Sequence, residues 1–298
     1  MRLVLTLVRR NLQAYWRDRM TVFFSMVAPV IMFVLFVVFL RKTMAKVIAD
    51  AVGSTNMDDS YALCDAWMFA SVATVATFST SLGMLTAFVE DRVTGRFSDY
   101  LVAPIRRWQL ALGYVLAVLC VSFVISTAIF FVGQGWAWWQ DQAVLSATED
   151  ARVVGAIFVS SLVFSAFNTL MVTFTSTQGS YGGYSIVMGT AMGFLSFCYV
   201  TPSSLSQTIN SVLSSLPFAQ TAAIIRLPAM TPAADQFLAD LPEGSVRDDA
   251  IRDLMTAIGA RLTVDDHVLS TAMILAILLA VTVVLSLVAS WRMGRIIH

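Results

Sequence analysis

Residues 90–107 read EDRVTGRFSDYLVAPIRR, a charged segment that lies between two long apolar stretches. A glycine and a proline, Pro104, interrupt the segment, and the residues between them are compatible with a short helix. On that helix Phe97, Tyr100 and Leu101 share one face. A short amphipathic segment between two membrane spans is typical of a docking element.

The composition indicates a polytopic membrane protein. Hydrophobic residues make up 58% of the chain and charged residues only 13%, and the mean hydropathy is +0.76. A soluble domain of this length would be less apolar and more charged. The three cysteines are odd in number and far apart, which favours neither a disulfide framework nor a metal cluster.

The N-terminal stretch, residues 1–19, contains five arginines and no signal-peptide pattern. At helical spacing, apolar residues such as Val4, Leu7 and Val8 fall on one side and arginines on the other. This pattern predicts an amphipathic helix that lies in the membrane interface. The alternative is an ordinary charged lead-in to the first span.

The uncharged stretches predict an all-α fold with six transmembrane helices. Residues 20–40, for example, form 21 uncharged positions, about 31 Å of helix and enough to cross the hydrocarbon core. A run of 73 uncharged residues, 153–225, is divided at its glycine-rich part, 178–183, which we interpret as a turn. The predicted spans are 20–40, 66–89, 108–133, 153–177, 184–201 and 268–291.

Residues 202–225 are rich in serine, threonine and asparagine, too polar to face lipid along their whole length. Their apolar residues still recur at helical spacing, and we expect Pro217 to end that helix. The pattern predicts a re-entrant helical hairpin before the last span. Residues 226–267 then form an acidic extracellular segment with short helices.

The distribution of basic residues orients this topology, with both termini in the cytoplasm of a cell-membrane protein. The segments assigned to the cytoplasm hold 11 lysines and arginines in 44 residues, and those assigned to the outside hold 8 in 79. Three basic residues, Arg41, Lys42 and Lys46, lie in a segment assigned to the outside. We expect their side chains to extend to the outer lipid headgroups.

The sequence argues against several kinds of chemistry. The predicted spans contain no ionisable residue of the kind that a proton-coupled transporter often carries at membrane depth. The chain has no GxxxxGK[ST] phosphate-binding loop, so any ATP that drives it would be bound by another subunit. Its two histidines offer neither a catalytic group nor a metal site.

Polar residues in the third and fourth spans are candidates for a substrate route. Serine and threonine in membrane helices also pack helices together, and that alternative stays open. The candidates are Ser126, Gln134, Ser165, Asn168, Thr169 and Thr173.

Two motifs resemble those of the ABC type-2 export permeases. The segment 90–107 is similar to the element that follows the second span in this family, with an acidic-basic start, a glycine, an apolar helix, and a proline followed by a basic residue. The pattern Pro217-Phe218-x-x-Thr221-Ala222-x-x-x-Arg226 is similar to a proline-initiated motif near the last extracellular region. The amphipathic start and six spans also match, so the resemblance covers nearly the whole chain.

The resemblance implies a permease subunit that exports an amphipathic or lipid-like substrate. Two copies of an ABC ATP-binding subunit would hold ATP and Mg²⁺, and a second permease copy or a homologous permease would complete the complex, surrounded by membrane lipids and without nucleic acid. Pro217, Phe218 and Arg226 would belong to the outer gate. The residues expected to dock the ATP-binding subunit are Glu90, Asp91, Arg92, Gly95, Arg96, Phe97, Tyr100, Leu101, Pro104 and Arg107.

Two other functions remain open from the sequence. One is an ATP-independent membrane channel or scaffold subunit, for which a solvated loop at 90–107 with incidental aromatic residues would suffice. The other is a lipid-modifying enzyme, although no intramembrane catalytic cluster supports it. Co-purification of a nucleotide-binding subunit would favour the exporter.

Overall fold

The computed structural model describes residues 2–52, 57–96, 107–239, 244–265 and 267–296. Nearly all of these residues are helical, apart from turns and a small antiparallel hairpin in which β1 (Thr263–Val264) pairs with β2 (His267–Val268). The helices are α1 (Arg2–Arg17), α2 (Arg19–Leu35), α3 (Arg41–Val52), α4 (Met57–Val93), α5 (Arg107–Trp139), α6 (Ala147–Val172), α7 (Gln178–Leu195), α8 (Gln207–Ser214), α9 (Pro217–Phe237), α10 (Ser245–Ala257) and α11 (Thr271–Ile296).

Five helical stretches of the described chain are long and apolar enough to cross a bilayer. They are Arg19–Lys46, Met57–Val93, Trp108–Trp139, Ala147–Val172 and Thr271–Met293. These stretches overlap five of the predicted spans, and the all-α, multi-pass class is confirmed. The remaining predicted span, 184–201, falls largely on α7, whose first half is rich in glycine and serine. A sixth crossing at α7 stays a prediction.

The first apolar helix continues beyond its predicted end at residue 40. A π-helical turn, Phe36–Leu40, joins α2 directly to α3, so the helical path extends to Val52. The polar residues that follow the predicted span 20–40 are therefore helical, and Arg41 projects from a continuous helix instead of a loop.

The turn between α6 and α7 lies at residues 173–177, and the prediction of a turn at 178–183 was wrong. Thr177 caps α7, because its Oγ1 accepts a hydrogen bond from Ser180 N at 3.1 Å while Thr177 N donates to Ser180 Oγ at 3.2 Å. This reciprocal capping starts the helix ahead of the glycines. Helix α6 correspondingly ends at Val172, before the predicted limit at residue 177.

Pro217 begins α9, and the preceding helix α8 ends at Ser214, before this proline as predicted. A proline at the first helical position loses no hydrogen bond, because the N–H that it lacks would have had no partner there. Helix α9 then continues through two further prolines to Phe237. The predicted border between residues 202–225 and 226–267 therefore falls inside one helix, and re-entry of this stretch into the bilayer stays a prediction.

The predicted amphipathic helix at residues 1–19 corresponds to α1. Much of its apolar face packs against α5 and the end of α4, while Leu5 and Trp16 are exposed. The buried members of that face are Val4, Leu7, Val8 and Tyr15. Protein contacts hold α1 beside the first turns of α5, and its placement in the membrane interface stays a prediction.

Helix α4 is the central element of the fold. It has 37 residues, most of them buried, and it packs against α2, α3, α5, α6, α7 and α9. Its N-terminal two thirds belong to the larger hydrophobic cluster, and Met84–Val89 belongs to the smaller cluster built with α1 and α5. The charged residues at the two ends of α4 are therefore connected by one continuous, well-packed helix.

Candidate functional sites at the two ends of the helices

A buried ionic cluster joins three helices at the C-terminal end of α4. Arg10 of α1 donates to both carboxylate oxygens of Asp91, with Nη1–Oδ2 at 2.8 Å and Nη2–Oδ1 at 3.0 Å. Arg96 donates to Oδ1 at 3.2 Å, and the Tyr114 hydroxyl of α5 donates to Oδ2. Asp91 is only 2% exposed. We call these four residues the Asp91 cluster.

The electrostatics of the Asp91 cluster favour a permanent ion pair. Burial alone would lower the pKa of Arg10, but its hydrogen bonds to Asp91 and Tyr114 and the negative charge of Asp91 outweigh it and hold that pKa above its ordinary value. Two-point arginine–carboxylate pairs also fix the orientation of both groups. Asp91 thus binds α1 and α5 to α4 and is not available as a surface contact.

The predicted docking segment begins where α4 ends. Gly95 has a φ of 74°, a left-handed conformation that glycine adopts without strain and that commonly closes a helix. Glu90 and Arg96 are exposed there. Four predicted docking residues lie outside the described residues, namely Phe97, Tyr100, Leu101 and Pro104; Arg107 is the first residue of α5.

Two arginines contact the turn between α6 and α7 at the same end of the molecule. Arg92 of α4 donates to the carbonyl oxygen of Thr175. Arg292 of α11 donates to Thr173 Oγ1 at 3.1 Å, and its guanidinium carbon lies 3.7 Å from the centroid of the Phe174 ring. Thr173, a predicted substrate-route residue, is therefore part of this junction of α4, α6 and α11.

Most of the other predicted route residues are buried where helices pack together, and one of them lies at the opposite end of the molecule. Asn168 of α6 is fully buried, donates to Ser81 Oγ of α4 and accepts from the Tyr184 hydroxyl of α7 at 2.8 Å. Ser165 donates to a carbonyl oxygen of its own helix, and Thr169 and Ser126 are also buried. Gln134 accepts from Leu145 N near the far end of α5. The structure brings Asn168 to the meeting point of three helices, and a substrate role for the set stays a prediction.

A second buried ion pair lies at the N-terminal end of α4. Arg41 donates to Asp65 through Nε to Oδ1 and through Nη2 to Oδ2, both at 2.8 Å. Trp136 and Gln142 also donate to Asp65 Oδ2, at 3.2 Å and 3.0 Å. The expectation that Arg41 extends to lipid headgroups was wrong, because Asp65 provides a carboxylate within the protein.

Arg226 is fully buried in the middle of α9, although the sequence placed it at the start of an outer segment. Its Nε and Nη2 donate to Ser71 Oγ of α4 at 3.0 Å and 2.8 Å, and Nη2 also donates to Phe197 O at 3.0 Å and Cys198 Sγ at 3.1 Å. The guanidinium carbon lies 5.3 Å from the centroid of the Trp67 ring. Within the described residues its hydrogen-bond acceptors are uncharged, so the site holds a buried cation through dipoles and an aromatic face.

Two further residues of the Pro217 motif position the start of the helix that carries Arg226. Pro217 starts α9, and Phe218 packs against Phe78, Phe164 and Phe167, with ring centroids 5.2 to 6.1 Å apart. The proline therefore sets where α9 begins, and the phenylalanine fixes it against α4 and α6.

No three His, Cys, Asp or Glu side chains of the described ranges come together in a way that could hold a metal ion.

Sequence reasoning missed several residues that the structure places in these sites, among them Arg10, Tyr114, Asp65 and Ser71. Only Arg10 carried a sequence signal, since it lies on the polar side of a strongly amphipathic helix.

The family model described as ABC-2 type transporter matches residues 2–226. That range includes α1, both ion pairs of α4 and the Pro217 motif up to Arg226. None of the curated proteins matches the chain.

Proposed function

Because this chain belongs to the ABC-2 type transporter family and is an ABC transporter permease, we propose that it exports an amphipathic or lipid-like substrate from the cytoplasm. A separate subunit would bind ATP and Mg²⁺ and supply the energy. Two such ATP-binding subunits would act on two permeases, either two copies of this chain or this chain and a homologous one. The complex would lie in the cell membrane with both termini of this chain in the cytoplasm.

The Asp91 cluster is the observation that carries this proposal. It binds α1, the C-terminal end of α4 and the start of α5 into one unit, and its members Asp91 and Arg96 belong to the segment 90–107. In that arrangement, a partner that moves the segment also moves α4. A solvated loop without a docking role would have no need of such a connection to the central helix.

Closure of the ATP-binding subunits would then change the packing along α4. Towards its opposite end this helix is bound to α3 through Arg41 and Asp65, and nearer its middle it is bound to α9 through Ser71 and Arg226. Rigid-body shifts of packed helices are a common way in which such changes reach a distant site. The outer end would open or close with α3 and α9.

A groove between α2, α4 and α7 supports an amphipathic substrate. Its volume is about 370 Å³. Both hydroxyl groups and apolar side chains line its walls, so that it suits a molecule with both kinds of surface. The lining includes Thr21, Phe24, Ser25, Leu82, Thr86 and Ser185.

The test is co-purification of the full chain with its candidate ATP-binding subunit, together with the ATPase activity of the complex. We expect the triple variant Phe97→Ala/Tyr100→Ala/Leu101→Ala to retain at most about a tenth of the partner, because aromatic residues at interface centres contribute most of the binding energy. The matched control, Trp138→Ala/Trp139→Ala, removes two aromatic side chains that are more than 70% exposed at the far end of α5.

The two readouts separate the possible functions. Loss of the partner in the triple variant alone, with normal membrane insertion, supports docking at residues 90–107. Failure of the wild type to bind or stimulate any ATP-binding subunit would contradict the exporter and favour an ATP-independent channel or scaffold. Equal loss in the triple variant and the tryptophan control would place the docking surface elsewhere.

A further inference from the structure

A groove lined by two arginines, Arg152 and Arg261, lies between α6, α9 and α11, at the end of the molecule opposite the Asp91 cluster. Its volume is about 490 Å³. A neighbouring cavity of about 300 Å³ shares four of its residues, so the two spaces adjoin. The shared residues are Ile224, Leu227, Arg261 and Thr271. Arg152 lines the larger space.

Both arginines lack a salt bridge to any carboxylate in the described part of the chain. The Nε of Arg261 is buried and has no hydrogen-bond partner there. Glu149 interacts electrostatically with Arg152, but its Oε2 accepts hydrogen bonds from Ser146 N and Ser146 Oγ at 2.8 Å and 2.7 Å. A buried guanidinium nitrogen without an acceptor is costly, and an anion in the groove would supply one.

Apart from Thr231 and Thr271, the rest of the groove is apolar, and it reaches α11 at Leu275. Val159, Leu227 and Leu275 line it on three different helices. Farther along α11, exposed apolar residues such as Leu279, Val283 and Leu287 continue the apolar surface away from the arginines. The site therefore combines two arginines suited to an anion with a surface suited to a hydrocarbon chain.

We propose that this groove, the Arg152–Arg261 groove, binds an anionic phospholipid. Its phosphate accepts hydrogen bonds from Arg261 and Arg152, since guanidinium groups match phosphate oxygens in geometry and charge. An acyl chain lies along α11 beyond Leu275. The inference concerns lipid binding by this chain alone and does not depend on the direction of transport or on ATP.

The experiment measures lipid retention by the full-length chain without ATP or partner subunits. The protein is equilibrated with vesicles of phosphatidylcholine and phosphatidylglycerol, extracted in mild detergent, and its bound lipids are counted by native mass spectrometry. We expect wild-type protein to retain phosphatidylglycerol in preference to phosphatidylcholine. The variant Arg152→Gln/Arg261→Gln should retain about tenfold less, as expected for loss of a charge-assisted hydrogen bond.

Two further variants make the test specific. Arg247→Gln/Arg252→Gln removes two positive charges from α10, outside the groove, and should retain phosphatidylglycerol like the wild type. Leu275→Trp fills the groove without altering a charge and should also lower retention, so it carries the test if the double arginine variant fails to fold. Equal retention in the groove variants and the wild type would overturn the proposal. Displacement of the lipid by glycerol 3-phosphate at equal concentration would do so too, because a site for a small anion would not need the acyl chain.

Discussion

The guanidinium of Arg10 holds both carboxylate oxygens of Asp91, although the two residues are 81 positions apart in the chain. Asp91 is 2% exposed, so its carboxylate lies inside the junction of α1, α4 and α5, whereas the Arg10 side chain is 36% exposed. Removal of Asp91 would leave Arg10 and Arg96 without their carboxylate, and removal of Arg10 would leave the buried carboxylate with only Arg96 and Tyr114. The pair therefore controls both the stability of this end and its connection to the segment 90–107.

Asp91→Asn should lower the free energy of unfolding by about 3 kcal/mol, because breaking one side of a buried ion pair is strongly destabilising. It should also uncouple ATP hydrolysis from transport in the assembled complex. The measurements are thermal unfolding of the detergent-solubilised protein and the ratio of transport to ATPase activity. Glu90→Gln, at the exposed neighbouring position, is the control for stability and should leave thermal unfolding nearly unchanged. Wild-type stability in Asp91→Asn would mean that the ion pair contributes little.

Arg41 and Asp65 should be energetically coupled at the other end of α4. A double-mutant cycle with Arg41→Gln and Asp65→Asn should give a coupling energy of about 1–3 kcal/mol in unfolding, since the two groups share two hydrogen bonds and are partly screened from water. Arg252 and Asp249, an exposed pair on α10, form the matched cycle and should give less than about 0.5 kcal/mol. Coupling energies of similar size in both cycles would contradict a special role for burial.

Arg226→Lys should destabilise the protein by about 1–3 kcal/mol although it keeps the charge. A single ammonium group cannot replace the guanidinium, which reaches Ser71, Phe197 and Cys198 at once. Thermal unfolding measures the effect, and Arg247→Lys on α10 is the control. A lysine variant as stable as the wild type would show that the charge alone suffices at this site.

Asp18 should make the start of the first span sensitive to acid. Hydrogen bonds from the hydroxyl and N–H groups of Thr21 lower the pKa of Asp18, whose carboxylate caps α2. A carboxyl with a lowered folded-state pKa stabilises the protein above its unfolded pKa of about 3.9, and this contribution is lost as the pH falls through the lower folded value.

Asp18→Ala should therefore cost about 1 kcal/mol at neutral pH and progressively less below about pH 4. Unfolding of both proteins is followed as a function of pH. Asp18→Asn can still cap the helix through its amide oxygen, so its stability relative to Asp18→Ala should not depend on pH. A constant difference between the wild type and Asp18→Ala from neutral pH down to pH 2 would contradict the lowered pKa of Asp18, because the difference should begin to fall once the pH drops below the unfolded value of about 3.9.

Hydropathy predicted the broad fold because each membrane-crossing helix carries its own signal. The stretches at 20–40, 66–89 and 268–291 are uncharged over more than a bilayer thickness, and no tertiary contact is needed to recognise them. The turn between α6 and α7 was misplaced because glycine indicates a turn only on average. Here a capping pair, Thr177 and Ser180, decided where the helix starts.

The candidate sites were less predictable, because their contacts join distant parts of the chain. The segment 90–107 and the arginine of the Pro217 motif were recognised from local patterns, but the partners of Asp91, Asp65 and Arg226 could not be. An arginine near an apolar stretch has the same local sequence whether it reaches lipid headgroups or a buried carboxylate. The choice for Arg41 was set by Asp65, which lies on another helix.

The unbroken length of α4 has a mechanical consequence. Thirty-seven helical residues extend about 55 Å, well beyond a hydrocarbon core of about 30 Å. A tilt of about 10° about the middle of such a rod displaces its two ends by about 5 Å each, in opposite directions. Helix α4 can thus act as a lever, with its packed middle as the pivot, that converts a displacement at Asp91 into an opposite displacement at Asp65.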